Sequence, residues 1–178
     1  MSTQNEIRTI EVVPYDLNWI RKYLYEAEKI KKIIADELVR IHHIGSTAIP
    51  GISAKPVIDI LVEVKNIENV DNYNEKVKEM GYIPKGEYGI EGRRFFLKGE
   101  INRTHHIHVF QVGNSEIIRH LNFRDYMIYH PEEAKAYSEI KKELAIKFRH
   151  DIDGYCNGKN DFIKEIDRKA EEWVKTRS

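Results

Sequence analysis

The run Val57-Ile-Asp-Ile-Leu-Val-Glu-Val64 constrains this chain more than any other segment. Six of its eight residues are aliphatic, most of them β-branched, and such a run is extended. A near-continuous apolar strand lies at the centre of a sheet, with both faces covered. An ionised carboxylate in that setting is costly unless it is paired, hydrogen-bonded or bound to metal. Asp59 is such a group. Strand alternation puts Asp59, Leu61 and Glu63 on one face. A purely structural role also stays open for Asp59, as a cap for neighbouring amides or a partner of Lys55, Arg93 or Arg94.

The remaining pattern predicts an α+β fold. Ile7–Val13 reads as a first or edge strand stopped by Pro14. Apolar residues at three- and four-residue steps predict a helix over 19–38, with Asp16 or Asn18 as its cap. Further strands are expected at 39–44, 82–84, 93–97 and 104–112, and a helix at 66–80 closed by Gly81. From Ser115 the pattern is helical: 115–129, then 131–148 opening on Pro131, then a loop over 151–158 and a closing helix over 160–175. No linker, repeat or low-complexity tract interrupts this order. We therefore expect one domain over residues 1–178, with 1–112 mainly sheet core and 113–178 helical.

Composition removes several function classes. Lys and Arg number 29 against 29 Asp and Glu, a balance that argues against bulk nucleic-acid binding. The lone cysteine, Cys156, excludes an internal disulfide framework and thiolate metal clusters. No apolar run approaches the ~18 residues of a membrane span, and the polar start is no signal peptide, so a cytoplasmic location is expected.

Three groups of residues carry candidate chemistry. Gly45-Ser46-Thr47 ends a strand with a residue that lets backbone approach a ligand, followed by two hydroxyls suited to phosphate oxygens. It matches neither dinucleotide nor P-loop signatures. His106 and His108 point the same way from their strand. If that strand neighbours the Asp59 strand, the three side chains surround a divalent cation. Lys55, Arg93 and Arg94 are candidate phosphate ligands, the arginines through a bidentate fork. Tyr155 and Lys159 sit where a lysine is able to close over a substrate.

Longer motifs carry a resemblance. His43-Ile-Gly-Ser-Thr-Ala-Ile-Pro-Gly-Ile-Ser-Ala-Lys-Pro-Val-Ile-Asp-Ile60 resembles the signature of the GrpB family, within the nucleotidyltransferase-like superfamily. Arg93-Arg-Phe-Phe96, His105-His-Ile-His-Val-Phe110 and Phe123-Arg-Asp-Tyr126 with His130-Pro131 match it too. The resemblance implies a polymerase-β-like mixed sheet flanked by helices, with a helical C-terminal part. Relatives also occur fused to dephospho-coenzyme A kinase. In active superfamily members the Gly-Ser turn holds a nucleotide's phosphates, and carboxylates on a following strand hold two Mg ions. Ile44-Gly45-Ser46 and Asp59 fit that frame, but the second carboxylate is due at Leu61. Glu63 is displaced from that position by about two strand residues, ~6.6 Å.

Three readings follow. The first is a nucleotidyltransferase-like enzyme acting on a nucleotide or other phosphate-bearing small molecule. Gly45, Ser46, Thr47, Lys55, Arg93 and Arg94 would hold phosphate, and Asp59, His106 and His108, with Glu63 as a further ligand, would hold Mg or Mn. The second is a noncatalytic phosphate-ligand or protein-binding domain that kept the fold. The third is a His-centred metal-dependent hydrolase.

Overall fold

The computed structural model describes residues 9–177. Among them five strands form one mixed sheet in the order β1-β2-β5-β4-β3. These are β1 (Leu38–Ile44), β2 (Ile58–Val64), β3 (Tyr82–Pro84), β4 (Arg93–Lys98) and β5 (His105–Gln111). β2 runs antiparallel to β1 and parallel to β5, and β5, β4 and β3 continue antiparallel. The aliphatic run is thus a central strand, as its composition predicts, and Ile60, Leu61, Val62 and Val64 are fully buried.

Helices cover both faces. On one face α1 (Asn18–Ile33) and the short α2 (Asn74–Glu79) pack Trp19, Ile30 and Val77 over Ile58, Ile60, Val62, Phe96, Ile107 and Val109. The other face carries Ile44, Leu61 and Phe110 beneath Ile117 of α3 (Ser115–Tyr129). Two longer helices, α4 (Pro131–Lys147) and α5 (Ile152–Thr176), complete a helical layer with α3 around Tyr126, Met127, Tyr137 and Ile166.

Several predicted elements differ. Residues 9–13 make one bridge, Val13 to Ala54, and a bond from Ile10 N–H to the Arg149 carbonyl, rather than a strand. Ile7 and Arg8 of that expectation lie outside the described residues. Pro14 lacks the N–H that would extend the pairing. Helix α1 ends at Ile33, because residues 34–37 turn the chain into β1. Its N-cap residue is Leu17, without a side-chain cap, rather than Asp16 or Asn18; Asp16, one residue earlier, accepts the Asn18 N–H at 2.8 Å. The segment expected as one helix over 66–80 is a 3-10 stretch, Ile67–Tyr73, followed by α2; Asn66 accepts the Glu68 N–H at its start. The expected loop at 151–158 is the first two turns of α5, capped by Asp151. Its glycines serve packing: a Cβ on Gly154 would lie 2.5 Å from the Phe148 ring, and one on Gly158 2.5 Å from Leu144.

Candidate functional site

Register brings the sequence candidates together. Asp59 lies opposite His106, and Leu61 opposite His108, across the parallel β2–β5 pair. All four side chains therefore share one sheet face. Asp59 Oδ1 is 3.0 Å from His108 Nε2 and 3.4 Å from His106 Nδ1. Burial opposes charge on Asp59, but the two imidazoles outweigh it and hold the carboxyl well below the usual range. Burial pushes His106 below the ordinary imidazole range, against the pull of the Asp59 carboxylate. His106 is neutral at pH 7, and its Nε2 is buried with no hydrogen-bond partner among the described residues.

Gly45 closes over this cluster. The chain leaves β1 at Ile44, the residue opposite Asp59, and Gly45 turns at φ +73°, ψ −172°. That backbone region is essentially reserved for glycine. A Cβ there would stand 2.7 Å from Asp59 Oδ2, so the turn reaches the carboxylate only because no side chain intervenes. Beyond it Thr47 is buried, its Oγ1 2.9 Å from His43 Nε2. His43 stacks on Tyr23, and burial brings it down to about 4, so it is neutral at physiological pH. Arg124 of α3 donates to the His43 carbonyl at 3.1 Å and ties the helix to this end of the sheet.

A pocket of about 230 Å³ opens beside the cluster, lined by Ser46, Thr47, Lys55, Asp59, His106, Lys141, Tyr155 and Lys159 among others. Lys141 and Tyr155 are buried side chains from α4 and α5. Five buried side-chain polar atoms among the described residues have no hydrogen-bond partner. Three of them, His106 Nε2, Lys141 Nζ and Tyr155 Oη, belong to residues lining this pocket. Such groups are rare in folded proteins and call for a specific explanation.

A family model described as GrpB protein matches residues 9–169. The chain belongs to the GrpB family. UPF0157 protein YqkA of Bacillus subtilis is 46% identical over 171 residues, covering 96% of this chain and 50% of YqkA. Glutamate-rich protein GrpB of Alkalihalophilus pseudofirmus is 37% identical over 160 residues, covering 87% of this chain and 92% of that protein. The chain thus spans half of one relative and most of the other. The crystal structure of conserved protein GrpB from Enterococcus faecalis superposes with a TM-score of 0.90 at 41% identity, over 92% of this chain and 99% of that one. More distantly, a dephospho-CoA kinase of Mycolicibacterium paratuberculosis is 24% identical over 200 residues, covering 98% of this chain and 49% of the kinase.

In this GrpB-family chain the other candidates are engaged elsewhere. Arg94 falls on the opposite sheet face from the cluster and forks onto Asp71 at 2.8 and 3.3 Å. Arg93 is on the cluster's face but is buried, donating to the carbonyls of Glu87 and Tyr88. Neither lines the pocket. Glu63 is buried against His42 at 2.5 Å, four strand residues from Asp59, about 13 Å along the strand. The expectation of phosphate contacts from Arg93 and Arg94, and of metal contact from Glu63, therefore meets a different placement. Strand parity turns Arg94 away, the 87–92 loop occupies Arg93, and distance removes Glu63.

Arg93 acts on His108 instead. Its Nη1 lies 3.4 Å from His108 Nδ1. Arginine only donates, so Nδ1 is the acceptor and Nε2 carries the proton directed at Asp59. His120 of α3 packs beside His108 with ring centroids 5.7 Å apart, and burial, with Arg119 and His108, pushes it down to about 3.

Asp59, His106 and His108 offer ligand atoms within 4.8 Å of one another, His108 becoming a ligand once Nε2 gives up the proton it directs at Asp59. That donor set fits one divalent cation of the kind that accepts imidazole, Mn before Mg. It does not fit two, because Leu61 is fully buried where a second carboxylate would stand. Sequence reading missed Lys141. Its signal was position: Ala134, Tyr137, Ser138, Lys141 and Ala145 form the buried stripe of α4 at helical spacing. Among the described residues, no helix is long and apolar enough to cross a membrane.

Proposed function

We propose that this chain is a nucleotidyltransferase-like protein whose pocket takes a nucleotide or another phosphate-bearing small molecule. The observation that carries the reading is convergence. Ser46 and Thr47 after the Gly45 turn, Asp59 and His106 of the cluster, and three lysines line one pocket, and among the described residues Asp59 is its one carboxylate. The order of strand, Gly-Ser turn and carboxylate on the adjacent strand also supports the superfamily assignment. At about 230 Å³ the pocket is smaller than the ~300–1,000 Å³ of sites that enclose whole ligands, so it suits the phosphate end of a molecule. The similarity to half of a dephospho-CoA kinase agrees with a phosphate-bearing, nucleotide-related ligand.

Asp59, His106 and His108 would hold one divalent cation, Mg or Mn, which when bound supplies charge neutralisation at phosphate oxygens. Ser46 and Thr47 orient the phosphate, and Lys55 adds positive charge. His106 or His108 acts as ligand or as general base, and His106, where it does not ligate the ion, is the neutral imidazole at the pocket wall able to accept a proton. A second reading, binding without turnover, is favoured by Leu61, which leaves too little negative charge for two-metal catalysis.

A thermal-shift screen of nucleotides with Mg or Mn, followed by product analysis of the hits, separates the two. The enzyme reading expects a product that disappears in Asp59→Asn while thermal stability changes little. A melting-temperature rise with no product in any condition supports the binding reading. Product release without an acceptor, lost when both His106 and His108 are Ala, supports hydrolysis. Product formation undiminished in Asp59→Asn removes Asp59 from the chemistry.

A further inference from the structure

We propose that Lys55, Lys141 and Lys159, grouped around Tyr155, form a subsite for a diphosphate or triphosphate chain, and that Lys141 takes up a proton when this anion binds. The inference rests on the phosphate-ligand reading of the pocket and names the groups that hold the phosphates.

The arrangement begins with Tyr155, whose ring is approached by two ammonium groups. Lys55 Nζ is 5.1 Å and Lys159 Nζ 4.8 Å from its centroid. Lys141 approaches from α4 with Nζ 4.4 Å from the Tyr137 centroid, 1% exposed and without a hydrogen-bond partner among the described residues. Tyr155 Oη is buried and equally unpartnered. Three lysines line this pocket, and the carboxylate among its described lining residues, Asp59, is shared by two imidazoles. The three lysines come from two helices and the segment before β2, and a single phosphate, with a charge of about −2, does not match three ammonium groups. A phosphate chain does, and its multiple charge offsets the mutual repulsion of the lysines.

The resting state agrees with this. Burial, with Lys159 and Lys55 adding to it, brings Lys141 down to about 6, so its amine is uncharged at neutral pH. The groups facing it are Tyr137 on its own helix, Tyr155 and Lys159 on α5, Lys55 before β2, and Asp59 with His106 across the pocket. Asp59 is the anion among these groups, but it is bonded to His106 and His108 and accepts no hydrogen bond from Lys141 Nζ. A bound polyphosphate does, and a proton from solvent then converts the amine to an ammonium donor.

The test uses inorganic pyrophosphate and tripolyphosphate without metal, the full chain, and isothermal titration calorimetry at pH 7.5 in Tris and in phosphate-free Hepes. Wild type is expected to bind pyrophosphate more tightly than inorganic sulfate. Lys141→Met and Lys159→Met are each expected to weaken binding by roughly 10- to 100-fold. Proton uptake per pyrophosphate, from the buffer dependence of the heat, is expected to exceed that of Lys141→Met by close to one. Urea unfolding of each variant establishes that it is folded. Wild type that does not bind pyrophosphate, or Lys141→Met that binds as wild type does, overturns the subsite. Equal proton uptake in the two overturns the proton linkage. Failure of the proposed function reads differently, as pyrophosphate binding with no nucleotide shift and no product.

Discussion

Replacing Lys141 by methionine removes an amine from the α4 stripe and leaves an apolar chain of similar length against Tyr137. An ordinary lysine holds its proton to about pH 10.4, whereas Lys141 is brought down to about 6 in the folded chain by burial and by Lys159 and Lys55. The unfolded chain therefore binds one more proton than the native state between those two values, and stability rises with pH across that window. Folding at pH 7 must leave this amine uncharged, which costs ~4.6 kcal/mol at ~1.36 kcal/mol per pH unit. Relaxation of the surrounding structure offsets part of that, leaving about 2–4 kcal/mol to be recovered by Lys141→Met. For a chain of this size the gain corresponds to a melting-temperature rise of roughly 5–15 °C. Urea unfolding followed by circular dichroism at pH 6, 7.5 and 9 reads it directly. The variant's advantage should be largest at pH 6 and shrink steadily towards pH 10. A variant no more stable than wild type at pH 7, or an advantage indifferent to pH, would refute the reasoning.

Other consequences follow from the same geometry. Gly45→Ala forces a side chain into a backbone region that costs ~1–3 kcal/mol and against the Asp59 carboxylate, so urea unfolding should show a loss of about 2–4 kcal/mol. A loss under 1 kcal/mol would mean the turn relaxes freely. Nitrogen-15 NMR should find His108 as the Nε2–H tautomer in wild type and a mixture of tautomers in Arg93→Met. A dominant Nδ1–H form in wild type contradicts the assigned role of Arg93. Glu26 is buried beneath Tyr82 and Lys98, which bond to it at 2.9 and 3.1 Å. Burial opposes its charge, yet those partners hold its carboxyl below the usual range, so its contribution is present above about pH 4.3 and fades as pH falls. Glu26→Ala should cost about 2–4 kcal/mol at pH 7, and the gap to wild type should narrow in acid.

What sequence alone revealed depended on whether a residue's setting was local. The period-2 alternation of 57–64 and 105–111 placed Asp59, His106 and His108 on shared faces, and only the pairing of the two strands remained to be observed. Arg93 and Arg94 show the limit of adjacency: one residue of register sends them to opposite faces, one onto loop carbonyls and the other onto Asp71. Lys141 was hidden by its charge, since a lysine on a helix reads as a solvated face until the Ala134–Ala145 stripe is found to point inward. Gly154 and Gly158 read as loop residues because glycine breaks helices locally. Here α5 tolerates them, and they admit Phe148 and Leu144 into contact. Long-range packing decided each of these positions.

Leu61 also bears on whether this fold is convertible to a two-metal enzyme. It sits with Ile44 and Phe110 under Ile117 of α3, with no exposed surface. An aspartate engineered there would place an anion in a dry apolar layer, opposite two histidines that are already engaged, His42 with Glu63 and His108 through its Nε2 proton with Asp59. Its carboxyl would remain protonated or drive α3 away from the sheet. Restoring a second ligand is thus not a one-residue exercise. A designer would have to rebuild the underside of α3, at Ile117 and Leu121 together, before the new carboxylate met solvent.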